Sequence, residues 1–554
     1  MGSPPQARAW LILAAIPLML AAPEFAHANG SASATDPHPA AAAPASSSAV
    51  LTFEIKHFDV AGNTLLSTSE LHDLLAAYTG KGRDFGAVQR ALEALQKAYK
   101  DRGYGAVAVT LPEQTLENGV VRFNVIETRI AQVNVEDNHF FNASNVRASL
   151  PTLRAGTVPN SRDIATNLRV VNDNPAKHVS VVLQPGDRDG TANAAVKVHD
   201  SDPQRYSVTL DNTGTSDTGR FRLGLAYQNA NLFDRDQVLT AQFITSPDNP
   251  NKVNVFGLGY HVPLYAQNAS IDAVAGYSSV NSGVVQDLFV VSGKGSIFAL
   301  RYNQYLPRFA DIDQQLSFGV DYRSYRNNVT TVGSSTQLVP DIAIHPFSLT
   351  YSGHWLGQAS QIDFYAGISQ NLFPGGNDDS GSDFDAVRVG AKAGYRIYRA
   401  GLDYSRLLPH DWQARASFTA QYTNDALVPG EQFALGGAAS VRGFQERYFA
   451  DDKGYRSSFE LYTPNVASKL GWNAMSLRFL TFYDTGWVGR NLVQAGENPG
   501  GGLDSIGVGL RVAVHEKLFV RMDFAQVLHD GSQINGPDGR NNSQMLHVSM
   551  AWLF

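Results

Sequence analysis

The sequence predicts an α+β region of two consecutive repeats followed by an all-β, 16-stranded antiparallel transmembrane β-barrel. Three observations carry that reading. After Asp200 the chain breaks into segments of about ten residues that alternate apolar and polar, the per-strand signature of a membrane barrel. The connections between those segments alternate long and short. No stretch beyond the N-terminus approaches the roughly 20 apolar residues of a helical span, which leaves membrane insertion to strands.

The totals narrow the class further. The chain has 554 residues, long enough for several domains or for one large barrel with additions. Only 17% of residues are charged, against roughly a quarter in ordinary soluble domains. A formal net charge of −7 gives no basic footprint for nucleic acid. The absence of cysteine excludes disulfides, thiolate metal sites and cysteine nucleophiles.

Residues 1–28 read as a signal peptide. Arg8 supplies the positive end, Trp10 to Ala22 the apolar stretch, and Ala26-His27-Ala28 a small-x-small cleavage site. Residues 29–50 are an Ala/Pro/Ser-rich linker.

Residues 51–128 and 129–200 carry the same order of elements: strand, helix, helix, strand, strand. In the first unit Phe53, Ile55, Phe58 and Val60 mark one strand. Leu71, Leu74, Leu75 and Tyr78, then Val88, Leu92, Leu95 and Tyr99, have helical spacing. Val107 to Leu111 and Val121 to Val125 alternate as strands around a turn at Glu117-Asn118-Gly119. The second unit repeats this with Ile130 to Val135, helices at Asn145 to Leu150 and Arg162 to Asn172, and a closing pair at Val179 to Leu183 and Ala194 to Val198. Two copies of one unit form an internal repeat. Gly103-Tyr104, Leu111-Pro112-Glu113-Gln114 and Val125-Ile126-Glu127 resemble the first POTRA domain of two-partner-secretion transporters. That resemblance implies periplasmic domains that capture clients by adding a strand to a sheet edge.

Residues 201–554 give sixteen segments, an even number as a bacterial single-chain barrel requires. With both ends of the barrel in the periplasm, connections after odd segments face outward and are the long ones. The final segment places Leu546, Val548, Met550, Trp552 and Phe554 on one face, with His547, Ser549 and Ala551 on the other. This is a lipid face opposite a small, polar lumen face, ending on an aromatic residue at the interface. Trp552 and Phe554 are the expected assembly signal, read by the barrel-assembly machinery as in other outer-membrane proteins.

One long connection stands apart. Residues 425–454 join the eleventh and twelfth segments and contain Gly436, Gly437, Val441, Arg442, Gly443 and Phe444. The glycines suit a tight hairpin with Arg442 at its tip. A sixteen-stranded lumen is wide enough to receive a loop, and an arginine there calls for a carboxylate. Phe482-Tyr483-Asp484-Thr485-Gly486 offers Asp484 on the thirteenth segment, with Gly486 leaving room.

Gly-Gly-Ala-Ala-Ser-Val-Arg-Gly-Phe followed by Asp452-Lys453-Gly454 resembles the inward-folded loop of two-partner-secretion outer-membrane transporters. These are the TpsB family, ShlB/FhaC/HecB-like, of the POTRA-barrel superfamily. Phe482 to Gly486 resembles their barrel-wall motif, which implies that Arg442 pairs with Asp484. The resemblance runs from Phe53 to Phe554. Many members thread an amphipathic plug helix through the pore; residues 29–50 show no such periodicity, a departure from that pattern.

The resemblance implies a bacterial outer-membrane transporter that secretes an unfolded partner exoprotein without ATP. It also implies a TpsA-like partner encoded nearby, contact with outer-membrane lipid, no nucleic acid, no cofactor and a monomeric state. The competing reading is an outer-membrane barrel insertase, which shares the fold but ordinarily carries more POTRA units. An enzyme is disfavoured: there is no Gly-x-Ser-x-Gly elbow, and the 14 histidines have no His-x-x-x-His spacing. The pairs Asp451-Asp452 and Asp378-Asp379 read as solvated loop charges.

Overall fold

A computed structural model describes residues 52–115, 118–285, 289–326, 340–372, 378–531 and 541–554. The expected signal peptide and the linker, with the question of a plug helix, lie outside the described residues.

The first unit comprises β1 (Phe53–Ile55), β2 (His57–Ala61), α1 (Thr68–Ala76), β3 (Gly80–Arg83), α2 (Phe85–Asp101), β4 (Val107–Thr110) and β5 (Val120–Glu127). Strand β2 runs parallel to β5, and β5 antiparallel to β4. Both helices bury one stripe against this sheet, with Leu75, Val88, Leu95, Tyr99 and Phe123 at the centre. Helix α1 starts where the sequence allows it, because Ser67 and Glu70 exchange hydrogen bonds as a capping box. The single strand expected from Phe53 to Val60 is instead two, broken at Lys56, since β1 pairs away with β3. Strand β3 reads Gly-Lys-Gly-Arg and has no apolar alternation to announce it.

The second unit comprises β6 (Arg129–Glu136), α3 (Ala143–Ala148), α4 (Ser161–Asn172), β7 (Lys177–Pro185) and β8 (Thr191–Asp200). Its sheet repeats the first: β6 parallel to β8, β8 antiparallel to β7. Gly103 joins the two units. Its carbonyl, just past α2, accepts the Ser161 N–H at the start of α4 at 2.8 Å, and Asn160 Nδ2 donates to the Arg102 carbonyl at 2.9 Å. The negative end of one helix thus meets the positive end of the next. Gly103 has φ +94°, and a Cβ there would lie 2.3 Å from Asn160 Oδ1, so this joint admits only glycine.

The barrel follows as β9 (Gln204–Asp211), β10 (Arg222–Leu232), β11 (Gln237–Thr245), β12 (Asn254–Leu264), β13 (Ala269–Val285), β14 (Phe289–Phe309) and β15 (Ile312–Arg326). It continues through β16 (Ile342–Ile344), β17 (Pro346–Leu356), β18 (Ser360–Asn371), β19 (Arg396–Leu407) and β20 (Gln413–Tyr422). A small hairpin, β21 (Phe433–Leu435) and β22 (Phe449–Asp451), interrupts the wall before β23 (Lys453–Tyr462). The wall ends with β24 (Met475–Gly489), β25 (Gly500–Val514), β26 (Leu518–His529) and β27 (Gln544–Leu553). Counting β16 and β17 as one strand split at His345, sixteen antiparallel strands close on themselves through β27 and β9. Phe256, Phe298, Val320, Phe459 and Ile506 are exposed on the lipid face.

On β27 Leu546, Met550, Trp552 and Phe554 are exposed, while His547 and Ala551 are buried. The Phe554 N–H donates to the Tyr206 carbonyl at 2.9 Å, so the last residue of the chain hydrogen-bonds to the first barrel strand.

The second unit is docked on the barrel through three periplasmic turns. Lys177 Nζ donates to Asp236 Oδ2 at 2.7 Å, with both side chains almost wholly buried. Burial pushes the Lys177 ammonium below its ordinary pKa, against the pull of Asp236. Asn174 Nδ2 donates to the Ala230 carbonyl at 2.6 Å, and Asn167 Nδ2 to Asn268 Oδ1 at 2.7 Å. On the third turn, Arg169 donates to the carbonyls of Leu306 and Gln314 at 2.8 and 2.7 Å. The unit is therefore fixed to the wall rather than tethered to it.

Two outcomes are expected. Replacing Phe554 by Asp puts a charge at the lipid interface beside the closing seam and should lower the amount of heat-modifiable barrel in outer-membrane fractions. Lys177→Met leaves Asp236 buried without its cation, at a cost of about 3–5 kcal/mol. Limited proteolysis should then release the periplasmic units from an intact barrel faster than in the parent protein.

Candidate functional site: the arginine loop and its wall

The loop between β20 and β23 begins on the outer side and folds back into the lumen. Gly436 and Gly437, at φ +91° and +118°, turn the chain at the inner end of the β21–β22 hairpin. A Cβ on Gly437 would stand 2.2 Å from a Glu446 carboxylate oxygen, so glycine lets that side chain fold over the turn. Glu446 then accepts the Ala438 N–H at 2.7 Å. The turn carries Arg442 to the wall.

Arg442 is among the largest fully buried side chains of the molecule. Its Nε donates to Asp484 Oδ2 at 2.7 Å and its Nη2 to Asp484 Oδ1 at 2.8 Å, a bidentate fork. The Arg442 backbone N–H adds a third bond to Asp484 at 3.1 Å. Nη1 donates to Glu460 at 2.8 Å, and Nη2 also to Ser458 Oγ at 3.0 Å. Beneath the guanidinium lies the Phe482 ring, 3.5 Å from Cζ to centroid, which adds a cation–π contact. Asp523 completes the shell at 3.5 Å, itself held by Arg511 and Arg521.

The loop neighbours of Arg442 are buried in their own apolar cluster. Val441 and Phe444 are wholly buried with Leu435, Val488, Leu503 and Val527. Gly443 has φ +96°, and its N–H donates to His547 Nε2 at 3.0 Å. Gly486 faces Leu435, where a Cβ would come within 2.8 Å of Leu435 Cδ2. The structure therefore brings Val441, Arg442, Gly443 and Phe444 together with Phe482, Asp484 and Gly486. Trp552 and Phe554 lie apart, on the lipid face, with rings stacked at 5.1 Å.

Sequence reasoning missed Ser458, Glu460 and Asp523, and read His547 only as a lumen-facing residue of the last strand. The signal was present for two of them. On β23 the exposed Tyr455, Phe459 and Leu461 mark one face as lipid, so Ser458 and Glu460 must face the lumen. Register then sets Ser458 opposite Asp484. The acidic pairs require correction. Asp451, Asp452 and Asp379 are buried; of the four, only Asp378 is exposed. Asp452 is taken up by Arg388 and Asp451 by Arg490, partners far along the chain that composition does not reveal.

Among the described residues no group of three or more His, Cys, Asp or Glu is placed to hold a metal ion. The site is a buried cluster of ion pairs that ties the loop to the barrel wall. A closed barrel of this size, with two α+β units on its periplasmic turns and a charged loop fixed inside, defines a POTRA-barrel transporter of the outer membrane.

Comparison with known proteins gives the family. Residues 190–512 match the family described as haemolysin secretion/activation protein ShlB/FhaC/HecB, and residues 53–128 match the ShlB-type POTRA domain. The chain belongs to this family. It is 25% identical over 457 residues to the outer membrane transporter CdiB of Escherichia coli O6:K15:H31, covering 79% of this chain and 73% of the relative. It is 22% identical over 496 residues to the heme/hemopexin transporter protein HuxB of Haemophilus influenzae, covering 86% and 83%. The solved structure of CdiB from Escherichia coli shares the fold with a TM-score of 0.73 at 21% identity, over 92% of this chain and 93% of that one. CdiB from Acinetobacter baumannii gives 0.67 at 14% identity, over 91% and 90%. The protein is an outer-membrane transporter of two-partner secretion, with its POTRA domains in the periplasm and a secreted exoprotein as client. Its family is one of transporters and not of enzymes.

The geometry makes Arg442 and Asp484 unequal. Arg442→Ala removes the guanidinium that Asp484 and Glu460 share. Asp484→Ala leaves Arg442 a second carboxylate in Glu460. Removing one member of a buried pair costs about 3–5 kcal/mol, so both variants should secrete poorly from barrels that still insert, Arg442→Ala more so. Arg442→Lys loses the fork and should rescue little. The double alanine variant should be little worse than Arg442→Ala, as measured by exoprotein in the medium; independent, multiplicative losses would contradict the pairing.

Proposed function

We propose that the arginine loop is the resting lock of the secretion channel, and that the client is captured first on the POTRA sheets. The observation that carries the lock is the bidentate Arg442–Asp484 pair, buried inside the lumen with the Phe482 ring beneath the guanidinium. A loop held only by surface contacts would not bring a guanidinium into full burial, because burying an uncompensated charge is prohibitive.

Capture is supported by the sheets themselves. Each unit keeps its last strand central and leaves two strands at the edges. On β7, an edge of the second unit, Val182 and Leu183 are exposed. An extended, unfolded client that adds to such an edge gains main-chain hydrogen bonds without a defined sequence. On this reading the client moves without ATP, so forward motion rests on capture inside and folding outside.

On this reading the partner is a TpsA-like exoprotein encoded nearby, and the barrel-assembly machinery reads the Trp552 and Phe554 end. The protein acts as a monomer. HuxB of Haemophilus influenzae, one of the relatives, is a heme/hemopexin transporter protein.

Removal of residues 53–127 tests the capture step. The truncated barrel should insert and remain heat-modifiable, while export of the partner falls to background. Export at the parent rate would show that the first POTRA unit is not the receptor.

A further inference from the structure

The loop's two legs are anchored separately from its tip. On the descending leg Glu431, which is 2% exposed, accepts from Arg323 Nη1 at 2.6 Å and from the Tyr325 hydroxyl at 3.0 Å, both on wall strand β15. On the ascending leg Asp452, at 0% exposure, is held differently. Its partner Arg388 is not on the wall. It follows a short helix, α5 (Gly381–Val387), in the outer connection between β18 and β19.

Arg388 Nη2 donates to Asp452 Oδ2 at 2.7 Å, and its Nη1 donates to the other carboxylate oxygen. The same carboxylate accepts the Leu427 N–H at 2.9 Å and the Asn491 N–H at 2.6 Å. Arg388 in turn donates to the carbonyls of Leu427 and Asn491 at 2.7 and 2.9 Å. One ion pair thus joins three outer connections through their described residues 378–395, 423–452 and 490–499. Against it sits an apolar cluster that includes Phe384, Tyr395, Leu427 and Val428, all buried. Ala391 and Ala426 form a parallel bridge that stitches the first two connections together.

We propose that the Arg388–Asp452 pair is a latch on the outer mouth, holding these connections together at rest and parting as the client leaves. The inference deepens the secretion reading and rests on it. The tip pair and the Glu431 contact each tie the loop to a wall strand. The latch ties connections to each other, so it opens without any change in the strand ladder. Arg388 and Asp452 are positioning residues, acting through the loop rather than on the client.

Two arms test it in the full-length protein. Asp452→Asn keeps the shape but turns an acceptor into a donor facing Arg388 and the Asn491 N–H. Heat-modifiable barrel should stay at the parent level, while open probability in planar bilayers rises about tenfold or more. Unchanged gating in an assembled Asp452→Asn barrel overturns the latch. The second arm uses the absence of native cysteine. Backbones joined by a β-bridge lie about 4.8 Å apart, inside the disulfide range of roughly 4.4–6.8 Å between Cα atoms. Ala391→Cys with Ala426→Cys should block secretion when oxidised and recover it on reduction. Secretion by the reduced form separates a failure of the latch from a failure of the transport reading. Oxidised protein that secretes at the reduced rate overturns the proposal, and this arm decides alone if Asp452→Asn does not assemble.

Discussion

A charge inside a barrel must find its counter-charge, and that constraint organises this molecule. Arg442 can be buried only because Asp484 and Glu460 face it from neighbouring strands and Phe482 lies under it. Those positions are fixed by register: Ser458 against Asp484, Glu460 against Phe482, and Asp523 against His547. A one-residue slip in any of these strands would turn the carboxylates to lipid. The loop's conformation and the wall's strand pairing therefore depend on the same alternation.

The alternation is also why so much of the fold was legible. A period of two, interrupted by turn residues, marks each of the sixteen wall strands, and lipid-facing aromatics show which parity points outward. The repeated units were readable because each helix carries one apolar stripe, as at Leu75 and at Val88, Leu95 and Tyr99. Strand β3 was not readable, because Gly-Lys-Gly-Arg pairs through its backbone alone. Arg442 and Asp484 could be named because an arginine in the lumen needs a carboxylate and because the two motifs that carry them resemble the family's loop and wall motifs. Arg388 and Asp452 could not. Both lie in connections of irregular backbone, where no period tells a buried charge from a solvated one.

The same limit applies to the seat of the second α+β unit. Lys177 opens an edge strand and Asp236 closes a turn, and in sequence each is an ordinary surface charge. Only the docked arrangement removes both from water. Asn145, Asn167 and Asn174 then spend their amides on the turns of the barrel, not on solvent. The three turns involved all belong to the first seven wall strands, so the unit leans on one side of the periplasmic mouth. Its position relative to the lumen is set by these polar contacts as firmly as by the linkage at Ser201–Pro203.

The strength of the central pair is not a property of Arg442 and Asp484 alone. Two unit charges about 4 Å apart attract by roughly 1 kcal/mol in water and about 4 kcal/mol where the effective dielectric is near 20. The burial of Arg442 and Asp484, with Phe482 under the guanidinium and the apolar cluster of Val441, Phe444, Leu435 and Val527 in the same loop, decides which regime applies. This gives the flanking apolar residues a role beyond packing. While the pocket is dry the pair is strong; once a moving client or a shifting loop admits water, the attraction falls and each charge regains hydration. On the proposed lock, the contact therefore weakens as it begins to open. A contact of this kind can be firm at rest and still yield without ATP, which a purely hydrophobic plug of the same area, immersed in an aqueous channel, would not do.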